Sequence, residues 1–303
     1  MTSARSFLSG IIDYAGLFPP AKLDMPTAVR NYAEYRSGQD SDLLGRFVLP
    51  ASRIDEFAHA SHGFLSRGVD SSPWRLSVIV DQDMESVRKI ALEFNCKHWS
   101  GSEAGYAVCD SVEMPVRTTD AVTSACDAFP EFFQVFLEIP ASPDPSPLLQ
   151  AVSREGAAAK IRTGGVVAEA IPDPDGVIRF LAACNHQRGR FKATAGLHHP
   201  ISSTYPLTYE SGSATAHMYG YFNLLFASAF LRSGAPHEVG REILLESDAT
   251  SFQLAEVGVT WRAHRLTAHE LRETREHFFL SFGSCSFSEP VDEAVALGCL
   301  GSP

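Results

Sequence analysis

Eight short apolar runs, each followed by a helical stretch, predict an α/β fold: a (β/α)8 TIM barrel with an insertion between strands 7 and 8. Two further observations agree. The runs are apolar nearly throughout rather than alternating, as strands covered on both faces are. The length, 303 residues, suits one barrel, which commonly takes about 250 residues. Residues 1–303 therefore read as a single domain.

The first run is 11–16, with a helix over 25–36. The second, 46–50, leads to a helix over 53–67, and the third, 75–80, to one over 83–95. A fourth run at 105–112 precedes a helix over 118–127, and a fifth at 132–139 precedes one near 146–155. The sixth, 157–161, is closed by Arg162-Thr163-Gly164-Gly165 and followed by a helix over 174–187. The seventh is 190–195. Then the pattern loosens. An apolar stretch over 214–231 predicts a buried helix, with short segments near 242–245 and 258–265 after it. A charged helix over 267–277 leads into the eighth run, 278–283, and a last helix spans 289–299. The insertion over about 200–265 is expected to form a lid or the interface of a homo-oligomer.

Composition narrows the function classes. A chain with 45% hydrophobic and 20% charged residues is globular rather than disordered. The net charge of −11 argues against nucleic acid and anionic membranes as partners, since both need basic patches. It leaves room for a local basic pocket that takes a small anionic or carbonyl substrate. The six cysteines form no CxxC pair, so free thiols in a reducing cytoplasm are expected. Asp13 and Pro19-Pro20 interrupt the apolar N-terminal stretch, which therefore lacks the continuous core of a signal peptide. No apolar run reaches the roughly 18 residues of a membrane span.

Reactive groups of such barrels stand where strands end. Polar residues at those points are Asp13, Arg53, Asp81, Asp110, Glu113, Glu138, Lys160, Arg162, Lys192, Thr194, His198, His199, Ser281, Ser284 and Ser286. Most positions of this kind are ordinary loop chemistry. The lysines differ, because Lys160 follows Ala157-Ala158-Ala159 and Lys192 lies between Phe191 and Ala193. Lysine is rarely buried unless paired. Apolar surroundings, or a second cation one strand away, would hold an amine neutral and nucleophilic. The alternative is that each lysine pairs with a carboxylate such as Glu138 or Asp110, or reaches solvent. Glycine-bearing loops leave strands 6, 7 and 8 at Gly164, Gly196 and Gly283. Glycines let the backbone approach a ligand, and barrel phosphate sites are commonly built from the last loops. Arg162 could neutralise an acidic substrate, and Asp13 could contribute a polar contact in the pocket floor.

Three segments resemble those of deoxyribose-phosphate aldolase and its class I aldolase relatives. Ala159-Lys160-Ile161-Arg162-Thr163-Gly164 resembles the family's sixth-strand K-T-S-T-G motif. Phe191-Lys192-Ala193-Thr194-Ala195-Gly196-Leu197 resembles its seventh-strand K-A-S-G-G-[IV] pattern. Phe282-Gly283-Ser284-Cys285-Ser286 resembles its eighth-strand G-[TA]-S-S phosphate loop. The match covers about a tenth of the chain, by the extent of these motifs. It departs from the family at Ala195-Gly196, at His198-His199-Pro200 and in the longer stretch between Pro200 and Phe278. The resemblance implies a lyase in which Lys160 forms a Schiff base with a small carbonyl substrate. Lys192 would lower the pKa of Lys160, and Asp110 or Glu138 would move protons. The resemblance puts Gly283, Ser284 and Ser286 on an anionic tail; from their positions at the strand ends, Asp13, Arg162, Thr194, Gly196 and His198 are expected to contact substrate. Such chemistry calls for no cofactor and no metal.

Two other readings compete. His198, His199 and Glu138 could hold a metal for an isomerase or hydrolase on the same barrel, although no HExxH or HxH pattern is present. His217 is expected in an apolar helix, as a core residue. The third reading is a non-catalytic, ligand-binding barrel.

Overall fold

The structure is a computed structural model and describes residues 4–300. Its strands are β1 (Ile12–Tyr14), β2 (Leu44–Pro50), β3 (Trp74–Ile79), β4 (Ala107–Pro115), β5 (Gln134–Glu138), β6 (Ala158–Arg162), β7 (Phe191–Thr194), β8 (Ser203–Pro206), β9 (Thr215–Met218), β10 (Phe252–Ala255), β11 (Gly258–Trp261), β12 (His264–Thr267) and β13 (Phe279–Ser284). Eight of them close a barrel in the order β1-β13-β7-β6-β5-β4-β3-β2. Every pairing in it is parallel. The predicted (β/α)8 barrel is therefore present, with β13 as its eighth strand.

Local chemistry fixes where the helices start. Asp24, Asp83, Thr118 and Asp173 each accept a hydrogen bond from the backbone amide three residues on. Thr267 and Glu270 form a reciprocal capping box. Each such cap is worth about 1 kcal/mol. Without it the first-turn amides would lack partners.

The stretch 200–265 divides into parts with different roles. Its first element is the antiparallel hairpin β8–β9, so the predicted helix over 214–231 loses its first turn to a strand. His217 accordingly lies exposed on β9 rather than in a core helix. The helix proper is Tyr221–Arg232, buried from Tyr221 to Leu231. It packs on helices Pro174–His186, His237–Leu245 and Ala268–His277 and on β13. Its apolar character is explained by packing within its own chain: it is part of the ring around the barrel. The antiparallel sheet β10-β11-β12 follows it. All six cysteines are free. No helix among the described residues is long and apolar enough to cross a membrane.

Two backbone details set up the site. β4 carries a bulge where Cys109 pairs with Leu76 but Ser111 pairs with Ser77, which leaves Asp110 as the extra residue. Between β6 and β7 the register places Lys160 directly beside Lys192.

Candidate active site

The C-terminal strand ends surround a cavity of about 420 Å³. Phe18, Val48, Ile79 and Met114 give it an apolar wall, and Lys160, Lys192, Glu113, Glu138 and Arg162 give it a charged one. Backbone crowding shapes the rim. A Cβ on Gly164 would lie 2.7 Å from the Cα of Gly196. The loops leaving β6 and β7 can therefore touch only because both positions are glycine. Gly196 lies at φ +77°, so its role is this close approach, and its side of the loop does not line the cavity.

Glu113 is the hub. Lys160 Nζ lies 2.9 Å from Glu113 Oε2, and Lys192 Nζ donates to Glu113 Oε1 at 2.5 Å. The Ser77 hydroxyl donates to the same Oε1 at 2.5 Å. Lys160 also reaches Glu138 Oε2 at 3.1 Å, and Arg162 Nε donates to Glu138 Oε1 at 3.2 Å. Lys192 donates to Asp13 Oδ2 at 2.6 Å, where the Ser281 hydroxyl joins it at 2.8 Å. The backbone amide of Arg46 donates to Asp13 Oδ1 at 2.7 Å. The chain of contacts Asp13–Lys192–Glu113–Lys160–Glu138–Arg162 thus alternates in sign from the barrel interior to its mouth.

Charge alternation sets the protonation states. Burial works against ionisation of Glu113, but the two ammonium groups and their hydrogen bonds outweigh it and hold its pKa well below the usual carboxylate range. Glu138 is likewise lowered, with Lys160 and Arg162 overcoming its burial. Burial would depress Lys160, yet Glu113 and Glu138 win and raise its pKa above the ordinary lysine value. This corrects the expectation that Lys192 keeps Lys160 uncharged. A carboxylate stands between the two cations, so attraction to it replaces repulsion between them.

The two lysines are not equivalent. The Lys160 side chain is 8% exposed and that of Lys192 is 1%. Lys192 is held between two carboxylates, with its Nζ 5.2 Å from the Phe136 ring centroid. Lys160 is thus the more accessible amine, an ordering independent of any motif.

Other residues singled out from the sequence separate into groups. Thr194, Gly283 and His198 line the cavity with the charged cluster. Burial lowers the pKa of His198 to about 4, with His199 adding to the effect, so its ring is neutral near pH 7. Asp13 is sealed beneath Lys192 and holds that lysine rather than facing the cavity. Ser284 is buried, and Ser286 accepts from the Glu289 amide in the first turn of the last helix; neither lines the cavity. Of the loop expected to hold an anionic tail, Gly283 and Cys285 line the cavity, while the Ser284 and Ser286 hydroxyls do not.

Asp110 is a clear correction. It lies with Arg46 and Arg75 in a separate cavity of about 560 Å³ at the N-terminal strand ends. Arg46 Nε donates to it at 2.7 Å and Arg75 Nε at 2.6 Å. The strand runs on to Pro115, so the residue that reaches the reactive end is Glu113. Ser111 and Glu113 alternate with Val112 and Met114, a period-two signal that places Glu113 on the interior face. The metal set His198, His199 and Glu138 is not assembled either. His199 turns away to stack on Tyr205 and to meet Glu293 at 2.8 Å, while Glu138 is engaged by Lys160 and Arg162.

Comparison with family models, curated proteins and solved structures finds no match to this chain.

Proposed function

We propose that the protein is an aldolase-type lyase that forms a Schiff base between Lys160 and a small carbonyl compound carrying an acidic group. The observation that carries this reading is the placement of Lys160 Nζ, at the wall of the cavity and within 3.1 Å of two carboxylates, Glu113 and Glu138. A resting ammonium needs a proton acceptor before it can attack, and Glu138, on the mouth side, is that acceptor. The free amine adds to the carbonyl carbon. The carbinolamine oxygen then leaves as water, taking the proton back from Glu138, and an iminium remains. That iminium accepts the electron pair of the bond between the α and β carbons as it breaks, the β-hydroxyl gives its proton to the again ionised Glu138 and leaves as a carbonyl, and protonation and hydrolysis of the remaining enamine free Lys160. Lys192 keeps Glu113 ionised and oriented. Arg162, 51% exposed at the mouth, meets the substrate's acidic group, and the apolar wall takes its carbon chain. The free thiols suit work in the cytoplasm.

Borohydride reduction in the presence of a panel of aldehydes and 2-oxo acids tests the proposal. The expected result is a reduced adduct on Lys160 by peptide mass spectrometry, absent in Lys160→Met, and faster trapping as pH rises and the amine loses its proton. No adduct with any member of the panel overturns it. The tight pairing of both lysines favours one other reading, a barrel that binds an acidic ligand without turning it over. That reading predicts binding by calorimetry with no adduct.

A further inference from the structure

Beside the cavity, a second cluster joins the segment leaving β7 to the last helix, Ser288–Ala296. Glu289 and Glu293 are four residues apart on that helix, hence on one face, where like charges repel. Glu293 turns toward the His199 imidazole, and Glu289 Oε2 accepts from the Tyr209 hydroxyl at 2.8 Å. His199 Nδ1 lies 2.8 and 3.0 Å from the two oxygens of Glu293. Donor atoms from His199, Glu289 and Glu293 all lie within 4.8 Å of one another. The His199 ring is fixed in direction by stacking on Tyr205, with centroids 3.5 Å apart. A second histidine faces the group from below. His198 is 8% exposed, and its Nδ1 lies 3.5 Å from Glu289 Oε2. Its other polar neighbours, Ser284 Oγ and Cys285 Sγ, are at 3.4 and 3.8 Å. A buried imidazole nitrogen with no short contact to any of these three is weakly satisfied.

We infer that His199, Glu289 and Glu293 form a binding site for a divalent transition metal, with His198 bordering it on the cavity side. The donor set is nitrogen and carboxylate, which suits zinc, cobalt or manganese rather than the all-oxygen preference of calcium and magnesium. Bonds of about 2.0–2.2 Å to each donor require that the two partly exposed glutamates move inward on flexible side chains, Glu289 giving up its bond from the Tyr209 hydroxyl. The ion would cancel the repulsion between the glutamates and clamp the 198–200 segment to the last helix. It would thereby fix the rim of the cavity that His198 and Cys285 line. This site is separate from the lysine cluster and takes no part in the Schiff-base reading.

The test uses the full chain, dialysed against chelator and titrated with cobalt(II) and zinc(II) by calorimetry and visible absorption. We expect one saturating equivalent, a cobalt spectrum showing imidazole coordination, and a rise in Tm that saturates at the same point. Replacing even outer-shell partners of bound metals costs about 10–100-fold in affinity, so His199→Ala and Glu293→Gln should each weaken binding by at least about 100-fold. Glu276→Gln, in the exposed Glu273, Glu276 and His277 group on another helix, should change nothing. Should His199→Ala fail to fold, Glu289→Gln and Glu293→Gln give the same readout. No saturable uptake, uptake that survives both glutamate substitutions, or uptake abolished by Glu276→Gln overturns the inference. Borohydride trapping at Lys160 should be indifferent to the chelator, so the two proposals fail separately.

Discussion

Strand β4 builds the same device at both ends of the barrel, a carboxylate between two cations, with different chemical consequences. At the lower end Asp110 lies between Arg46 and Arg75. At the upper end Glu113 lies between Lys160 and Lys192. The Asp110 side chain is 17% exposed and that of Glu113 is 1%. Arginine holds its proton under all ordinary conditions, so the lower cluster is a fixed electrostatic latch. Lysine can release a proton to a neighbouring carboxylate, so the upper cluster is able to react. What separates the latch from the proposed reactive centre is the identity of the cation and the depth of burial.

The sharpest way to break this comparison is at Lys160. Lys160→Met should abolish borohydride adducts outright, whereas Arg46→Met should leave trapping in place wherever the protein folds. An adduct that survives in Lys160→Met moves the reactive amine elsewhere. Next in size is the hub. Glu113→Leu takes the shared carboxylate from two buried ammonium groups and leaves each with one partner, Glu138 or Asp13, and breaking a buried pair by removing one partner costs about 3–5 kcal/mol. Urea denaturation should read that loss. Glu138→Gln should leave the fold intact and slow adduct formation by about 10²–10⁴-fold, the usual worth of a positioned proton acceptor. Stopped trapping time courses would measure it, and an unchanged rate would transfer the role to Glu113.

Stability should also depend on pH in two directions. Glu113 and Glu138 have depressed folded pKa values. Their contribution is complete above the unfolded glutamate value of about 4.3 and declines as pH falls from there toward the folded values. Lys160 is raised. Its contribution is complete below the unfolded lysine value of about 10.4 and is lost as pH rises through its folded pKa. Thermal melts across both limbs check this, and Lys160→Met should flatten the alkaline one. Smallest of all is Asp110→Asn, at about 1 kcal/mol, because Arg75 is exposed and water screens the charge it leaves behind. A loss as large as that of Glu113→Leu would erase the distinction between the two ends.

Much of the upper cluster was legible in the chain. Lys160, Lys192 and Glu138 stand out as charged residues ending apolar runs, and adjacent strands bring them together. Glu113 did not stand out as the hub, because the apolar run looks finished at Val112 and Asp110 offers a nearer carboxylate. The bulge at Asp110 shifts the strand by one residue, and a shift of that kind decides which side chains face inward. Propensity and hydrophobic pattern do not reveal it. The alternative metal set fails on side-chain direction, since adjacent residues leaving a strand point to opposite sides. His198 and His199 are neighbours in sequence, yet one faces the cavity and the other stacks on Tyr205.

The order of apolar runs and helical stretches was enough to specify the barrel, since a strand buried on both faces and a helix covering it leave local patterns that need no knowledge of the rest. It also specified that two lysines sit side by side in that barrel. Which partners those amines meet, and with them the raised pKa of Lys160, was decided by the tertiary structure alone. The carboxylates that hold them come from β1, β4 and β5, far away along the chain, and a pKa answers to distance in space.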